Sequence, residues 1–307
     1  MAEWRKVIPE SRDRLQSRVL VWVVGLALLV PLLTILNMAI HSPETTGTWV
    51  LRSAVVTLTF GVLVWALRAA TPMAAILGSI VCFTVMTWTG SFVSSPFRSG
   101  LTPLMTLFVL TFAATKAGKR HKLQLGVAEE RRGRNAAQIV ANLGMAGLVI
   151  VGRVFTVFDL LCCRGVSGLS GFSVYAVPIA LMAALCEATA DTVSSEIGQA
   201  FGGAPVMLTT FRRVEAGTDG AVTVLGTGAG ILGAAIVAGV GKWSMRMSFA
   251  AAVIGFAGGV AGLFFDSLLG ATVERKGWLG NDLVNFSSTV FAVVVALVFA
   301  VVVFLRQ

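Results

Sequence analysis

Residues 190–220 read A-D-T-V-S-S-E-I-G-Q-A-F-G-G-A-P-V-M-L-T-T-F-R-R-V-E-A-G-T-D-G. The stretch leaves one apolar run of membrane-spanning character and enters another near residue 221. Between them lie Asp191 and Glu196, Gly198 and Gly202, Thr209 and Thr210, Arg212 and Arg213, then the turn Gly217-Thr218-Asp219-Gly220. Carboxylates can hold a metal ion, glycines let backbone N–H groups approach an anion, and arginines neutralise phosphate charge. The rest of the chain is nearly all lipid-compatible, so chemistry is expected here.

Working outward, the 307 residues are 56% hydrophobic and 13% charged, against roughly 25% charged in soluble domains. Mean hydropathy is +0.85. Nine apolar runs, at 19–40, 49–67, 72–93, 101–115, 136–155, 172–192, 221–240, 248–269 and 286–305, predict an all-α, polytopic transmembrane helical bundle of about nine spans. Pro31 is expected to kink the first. That run follows a charged segment without a small-residue cleavage site and reads as a retained helix. The organisation is a cytoplasmic N-terminal segment (1–18), four N-terminal helices (19–115), a basic cytoplasmic linker (116–135) and a five-helix catalytic region (136–307).

Net charge is +9. No basic stretch is interleaved with stacking aromatics, so the excess is read as loop charge and not as a nucleic-acid surface. An N-terminus inside the cell puts Arg5, Lys6, Arg12, Arg14 and Arg18 on the cytoplasmic side. With them go Arg68, the cluster from Lys116 through Arg131, Arg132 and Arg134, the pair Arg212–Arg213, and Arg275 with Lys276. The positive-inside rule then places the N-terminus and the polar loops in the cytoplasm. The cysteines, Cys82, Cys162, Cys163 and Cys186, form no metal or redox pattern.

Glu187 and Asp191 share a helix face, and Ser195 continues it if the helix persists. An acid as deep as Glu187 is costly unless it faces a polar cavity. Glu196 lies about 140° from Asp191 on an ideal helix, so shared metal binding needs a break between them. Gly198 and Gly202 suit either anion approach or close helix packing. The turn 217–220 reads as an N-cap or as a phosphate contact. Asn135, Gln138 and Asn142 form one helical stripe beside Arg134, and Asn281, Asn285 and Ser288 form another next to Asp282. Asp266 is a second acid at a helix end. Neither histidine is well placed, and no nucleophile elbow, H-E-x-x-H or Walker A sequence occurs, since Gly241-Lys242 runs into Trp243. Phosphoryl transfer onto an existing phosphate needs none of these, because the nucleophile is already anionic.

G-R-N-A-A-Q-I-V-A-N at 133–142, A-D-T-V-S-S-E-I-G at 190–198 and T-T-F-R-R-V-E-A-G-T-D-G at 209–220 resemble blocks of a known integral-membrane family. F-D-S-L-L-G-A-T-V-E at 265–274 and N-D-L-V-N-F at 281–286 extend the likeness. The family was catalogued as domain of unknown function ninety-two, and includes animal transmembrane protein nineteen and a plant phytyl-phosphate kinase. The run from Asp191 through Gly198 to Gly202 is also similar to the signature of CTP-dependent polyprenol kinases and cytidylyltransferases. Departures are Ser194 in place of a common alanine, and Ala221 where a second glycine is frequent.

The resemblance implies a kinase that converts a phytyl, geranylgeranyl or other polyprenyl monophosphate to the diphosphate with a nucleoside triphosphate, CTP by likeness. Asp191, Glu196 and Asp266 are then expected as catalytic residues and Mg²⁺ ligands. Arg134, Asn135, Gly198, Gly202, Thr209, Thr210, Arg212, Arg213, Gly217, Asp219 and Gly220 would meet nucleotide and phosphate. Gln138, Asn142, Glu187, Ser195, Asn281, Asp282 and Asn285 would shape the substrate pocket. Expected partners are the lipid monophosphate, the nucleotide and membrane lipids, in a bacterial-type plasma membrane with the active face cytoplasmic; an oligomer is compatible. Two rivals remain open: a lipid or small-solute transporter or flippase, and a CTP-using cytidylyltransferase.

Overall fold

The computed structural model describes residues 8–90, 95–125, 133–162 and 169–304. Its helices are α1 (Glu10–His41), α2 (Thr48–Ala66), α3 (Pro72–Thr89), α4 (Leu101–Lys116), α5 (Lys119–Leu125), α6 (Ala136–Cys162), α7 (Leu169–Phe201), α8 (Val224–Ser244), α9 (Phe249–Leu269) and α10 (Asn281–Phe304). Single π-turns precede α2 and follow α9. Among the described residues, eight helices are long and apolar enough to cross a membrane, and α4 is a shorter apolar helix. Its 16 residues reach about 24 Å, short of the ~30 Å hydrocarbon core. The nine expected spans are these eight and α4, in the expected order.

Outer helices bury one stripe and leave the other side apolar and exposed. In α1, Leu20, Val24, Leu28, Pro31 and Ile35 face inward at intervals of three or four residues, while Val19, Trp22, Val23 and Leu26 face out. Such an apolar exterior suits lipid, not water. The bundle is built around α7: 89% of its apolar run is buried, against 28–56% in the other spans. Small residues let its neighbours close in. A Cβ at Gly226 or Gly230 of α8 would strike α7 backbone oxygens, and one at Gly255 or Gly259 of α9 would strike Met182 or Cys186.

Several boundaries differ from the sequence reading. Helix α7 does not stop near 192 but runs unbroken to Phe201, carrying Asp191, Ser195 and Glu196 on one continuous helix. Helix α8 begins at Val224, capped by the Thr223 hydroxyl accepting from Gly226 N at 3.1 Å. Residues 221–222 pair instead with 206–207 as two antiparallel strands, β1 (Val206–Met207) and β2 (Ala221–Val222). Helix α10 starts at Asn281, so Asn281, Asp282 and Asn285 are helical. Helix α1 runs on through Pro31. Arg5, Lys6, Arg131, Arg132 and Cys163 lie outside the described residues.

The polar loops converge on one end of the bundle. Arg12 Nη1 donates to Gly277 O at 3.2 Å and Gln16 Nε2 to Trp278 O at 2.9 Å. Arg134 N donates to Ala69 O and Thr71 N to Arg134 O, both at 2.9 Å. At the other end Arg98 reaches α8, donating to Trp243 O at 2.8 Å and lying 4.3 Å from its ring centroid.

Candidate functional site

At the polar end, α6, α7, α9, α10 and the loop before α8 surround one cavity. Helix α7 contributes Asp191, Ser195, Glu196 and Gly198, and α9 contributes Asp266. Arg134, Gln138 and Asn142 line the α6 side, and Asn281 and Asn285 the α10 side. The turn before α8 supplies Gly217, Asp219 and Gly220. Five sequence blocks therefore meet at one place.

The cavity is strongly acidic. Asp191, Glu196, Asp219, Asp266 and Glu274 line it, against one basic side chain, Arg134. Asp191 and Asp266 line the same cavity from α7 and α9 and act on each other's charge, and Asp266 Oδ1 is buried without a hydrogen-bond partner. Two neighbouring carboxylates repel unless a proton or a cation lies between them. Among the described residues no three His, Cys, Asp or Glu side chains are grouped to hold a metal ion. Mg²⁺ fits a smaller set, since it commonly takes one or two carboxylates and completes its shell with waters and substrate phosphates. The unpartnered Asp266 oxygen beside Asp191 is such a set.

Glu187 is deeper and has a different partner. It is 1% exposed, accepts from Ser288 Oγ of α10 at 2.5 Å, and lies outside the cavity lining. A buried acid thus fastens α10 to α7. Glu196 is also engaged: Thr115 Oγ1 donates to its Oε1 at 2.8 Å and Lys122 Nζ to its Oε2 at 2.5 Å. Lys122 additionally donates to Ala114 O and Thr115 O. With α7 unbroken, Glu196 turns towards α4 and α5 and not towards Asp191, so the structure gives the two no shared ion. Nothing in the basic linker's sequence distinguishes Lys122 from its neighbours.

Arg134 is fixed through its backbone to Ala69 and Thr71, and its Nη2 reaches Thr192 Oγ1 at 3.5 Å. Its charge acts on Asp191. Asn135 and Gln138 cap α6 reciprocally: Asn135 N donates to Gln138 Oε1 at 2.8 Å, and Gln138 N to Asn135 Oδ1 at 3.0 Å. Asn135 is therefore a helix cap outside the cavity, while Gln138 remains in its wall. Asp282 accepts from Ser17 Oγ at 2.5 Å and joins α10 to α1, also outside the cavity lining.

Residues 205–214 form a small hairpin, with Phe211 N donating to Met207 O and Val214 N to Pro205 O. Thr209, Thr210, Arg212 and Arg213 are exposed on it and do not line the cavity. Gly202 is absent from the lining as well; a Cβ there would hit the Thr223 side chain, and one at Gly198 would come to 2.8 Å from Thr223 Oγ1. Both serve the close approach of α7 to the start of α8. Gly220 has φ +74°, and a Cβ on it would collide with the backbone of Ala271, so the turn is pressed onto the end of α9. Gln199, Thr218, Thr223, Ser267 and Glu274 also line the cavity, brought there by the loop folding back onto the helix ends.

Fold and site together define a polytopic helical membrane protein with an acid-lined polar cavity at one end of its bundle. The chain belongs to the family described as integral membrane protein DUF92, whose model matches residues 55–293 and so spans every residue of that cavity. An uncharacterized membrane protein of Methanocaldococcus jannaschii is 44% identical over 112 residues, 36% of this chain and 47% of the relative. Protein VTE6, chloroplastic, of Arabidopsis thaliana is 33% identical over 203 residues, 65% of this chain and 58% of that protein. An uncharacterized membrane protein of Synechocystis is 26% identical over 200 residues, covering 64% and 72%. The chain thus matches 47% and 58% of the first two relatives' lengths. No solved structure matches it.

Proposed function

We propose that the protein is a membrane-embedded isoprenoid-phosphate kinase, moving the terminal phosphoryl group of a nucleoside triphosphate onto a prenyl monophosphate. CTP is the nucleotide that the family resemblance implies. The observation that carries this reading is the buried, unpartnered Asp266 oxygen in the acidic cavity that Asp266 shares with Asp191, next to Arg134.

The two aspartates would hold Mg²⁺, which supplies charge neutralisation on the nucleotide phosphates. Arg134 would offset the repulsion between donor and acceptor phosphates. The backbone of the 217–223 turn, at the positive end of α8, would receive phosphate oxygens. An oxygen of the prenyl phosphate would attack the γ-phosphorus as its bond to the β,γ-bridging oxygen breaks, releasing the nucleoside diphosphate with that electron pair. The acceptor's second ionisation lies near pKa 6, so no protein base is required, and neither histidine lines the cavity. By the positive-inside rule this end faces the cytoplasm, where nucleotides are; a bacterial-type plasma membrane is the corresponding location.

A carrier would instead need a site near mid-membrane, open in turn to both faces. Here the acidic cavity is walled by the loop before α8 and the polar ends of α9 and α10, at one end of the bundle. The test is purified protein with geranylgeranyl or phytyl phosphate, Mg²⁺ and each nucleoside triphosphate. Prenyl diphosphate and nucleoside diphosphate are expected. Pyrophosphate release would identify a cytidylyltransferase, and nucleotide-independent lipid movement in proteoliposomes without any diphosphate product would identify a carrier.

A further inference from the structure

Beside the acidic cavity lies a second one of opposite character. Its apolar walls come from α2, α3, α4 and α6, with Phe60, Leu107, Phe108, Phe112 and Leu143 among them. Its polar end carries five basic side chains, Arg68, Lys116, Lys119, Lys122 and Arg134, and its lining includes no carboxylate. The two cavities share Arg134 and Asn142. Lys122 is committed to Glu196, whereas Arg68, Lys116, Lys119 and Arg134 have no ion-pair partner among the described residues.

The apolar part follows one face of α4. Leu104, Leu107, Phe108, Thr111, Phe112, Thr115 and Lys116 of α4 line it at the spacing of one helical stripe. The twelve-residue step from Leu104 to Lys116 is about 18 Å, more than half of the ~30 Å hydrocarbon core. Phe60 of α2 meets Phe108 of α4 edge to face at 5.1 Å, and Phe108 stacks on Phe112 at 5.6 Å. A row of aromatic and aliphatic side chains that ends in unpaired cations is complementary to one chemistry: a single hydrocarbon chain with an anionic head.

We infer that this slot is the seat of the lipid acceptor: a single-chain lipid monophosphate whose tail lies along α4 and whose phosphate rests among Arg68, Lys116 and Lys119, with Arg134 linking it to the acidic cavity. The inference rests on the kinase reading for the word acceptor; the binding site itself does not. The geometry separates the two substrates by charge. The metal-bound nucleotide goes to the carboxylates, the bare lipid phosphate goes to the cations, and Arg134 stands where their phosphates would meet.

The experiment is equilibrium binding of radiolabelled geranylgeranyl monophosphate to the full-length protein in detergent, without nucleotide. Geranylgeraniol and inorganic phosphate serve as competitors, and CTP binding is measured in parallel. Arg68→Gln combined with Lys119→Gln removes two exposed cations, and Leu107→Trp fills the slot. Each is expected to weaken lipid-phosphate binding at least tenfold with CTP binding unchanged, and neither competitor alone should match the lipid phosphate. Unaltered binding in both variants overturns the site. Equal displacement by inorganic phosphate also overturns it, by reassigning the cations to a free anion. If Leu107→Trp fails to fold, the exposed double variant still decides. Tight, variant-sensitive lipid binding without any phosphoryl transfer would refute the kinase reading and leave the slot standing; transfer with an unchanged lipid KM in the variants would do the reverse.

Discussion

Replacing Lys122 with methionine should cost the protein about 3–5 kcal/mol of stability, the range seen when one member of a buried ion pair is removed. The magnitude follows from the setting. The Lys122 and Glu196 side chains are 3% and 10% exposed and 2.5 Å apart. Methionine keeps the length of the stem but leaves the Glu196 carboxylate with the Thr115 hydroxyl as its donor, and it strips the ammonium from Ala114 O and Thr115 O near the end of α4. Removing both charges, with Lys122→Met and Glu196→Leu together, should recover most of the loss, because no charge is then left buried without its partner. Unfolding in mixed micelles across the double-mutant cycle reads the coupling. A coupling below about 1 kcal/mol, the level of an exposed pair, would refute the claim that Glu196 is held by the linker. If metal affinity also fell in Lys122→Met, Glu196 would have to be reassigned to the ion.

Ser288→Ala leaves the buried Glu187 without its α10 donor and should cost about 1–3 kcal/mol, read by the same unfolding assay; a neutral result would mean that Glu187 has another partner. Gly220→Ala puts a side chain into left-handed backbone and against Ala271. It should lower thermal stability and nucleotide binding together, measured by melting with and without CTP; a stabilising substitution would show that the turn is not pressed onto α9. Chelation of divalent cations by EDTA should abolish phosphoryl transfer and Mg²⁺ should restore it, whereas full activity in EDTA would remove the aspartate pair from metal binding. Arg212→Gln and Arg213→Gln, on the exposed hairpin, should change kcat/KM less than threefold; losses on the scale of Arg134→Gln would require the hairpin to close over the cavity.

Most of the fold was readable because lipid demands long apolar runs, and nine of them stood out against sparse charge. What the runs could not show was where α7 ends: its last turns, from Asp191 to Phe201, are polar enough to read as loop, yet packing against α8 through Gly226 and Gly230 keeps them helical. The cavity was legible as a set of sequence blocks, since Asp191, Asp266, Arg134 and the 217–220 turn all converge. The partners of individual side chains were not. Helical phase separated Glu196 from Asp191, but only the fold shows that Lys122 waits on the other side. Asn135 and Gln138 sit in a stripe that suits either a pocket or a cap, and spacing alone does not choose between them. The slot along α4 was hidden because its cations come from three separate segments, each of which reads as ordinary loop charge.

The most direct test follows the label from [γ-³²P]CTP, and from the other triphosphates in turn, into geranylgeranyl phosphate with wild type, Asp191→Asn and Asp266→Asn. Label in prenyl diphosphate with wild type, reduced by about 10²–10³-fold in either variant, is the predicted result. Wild-type protein that transfers no label from any nucleotide, or an Asp266→Asn variant that transfers it undiminished, would contradict the account.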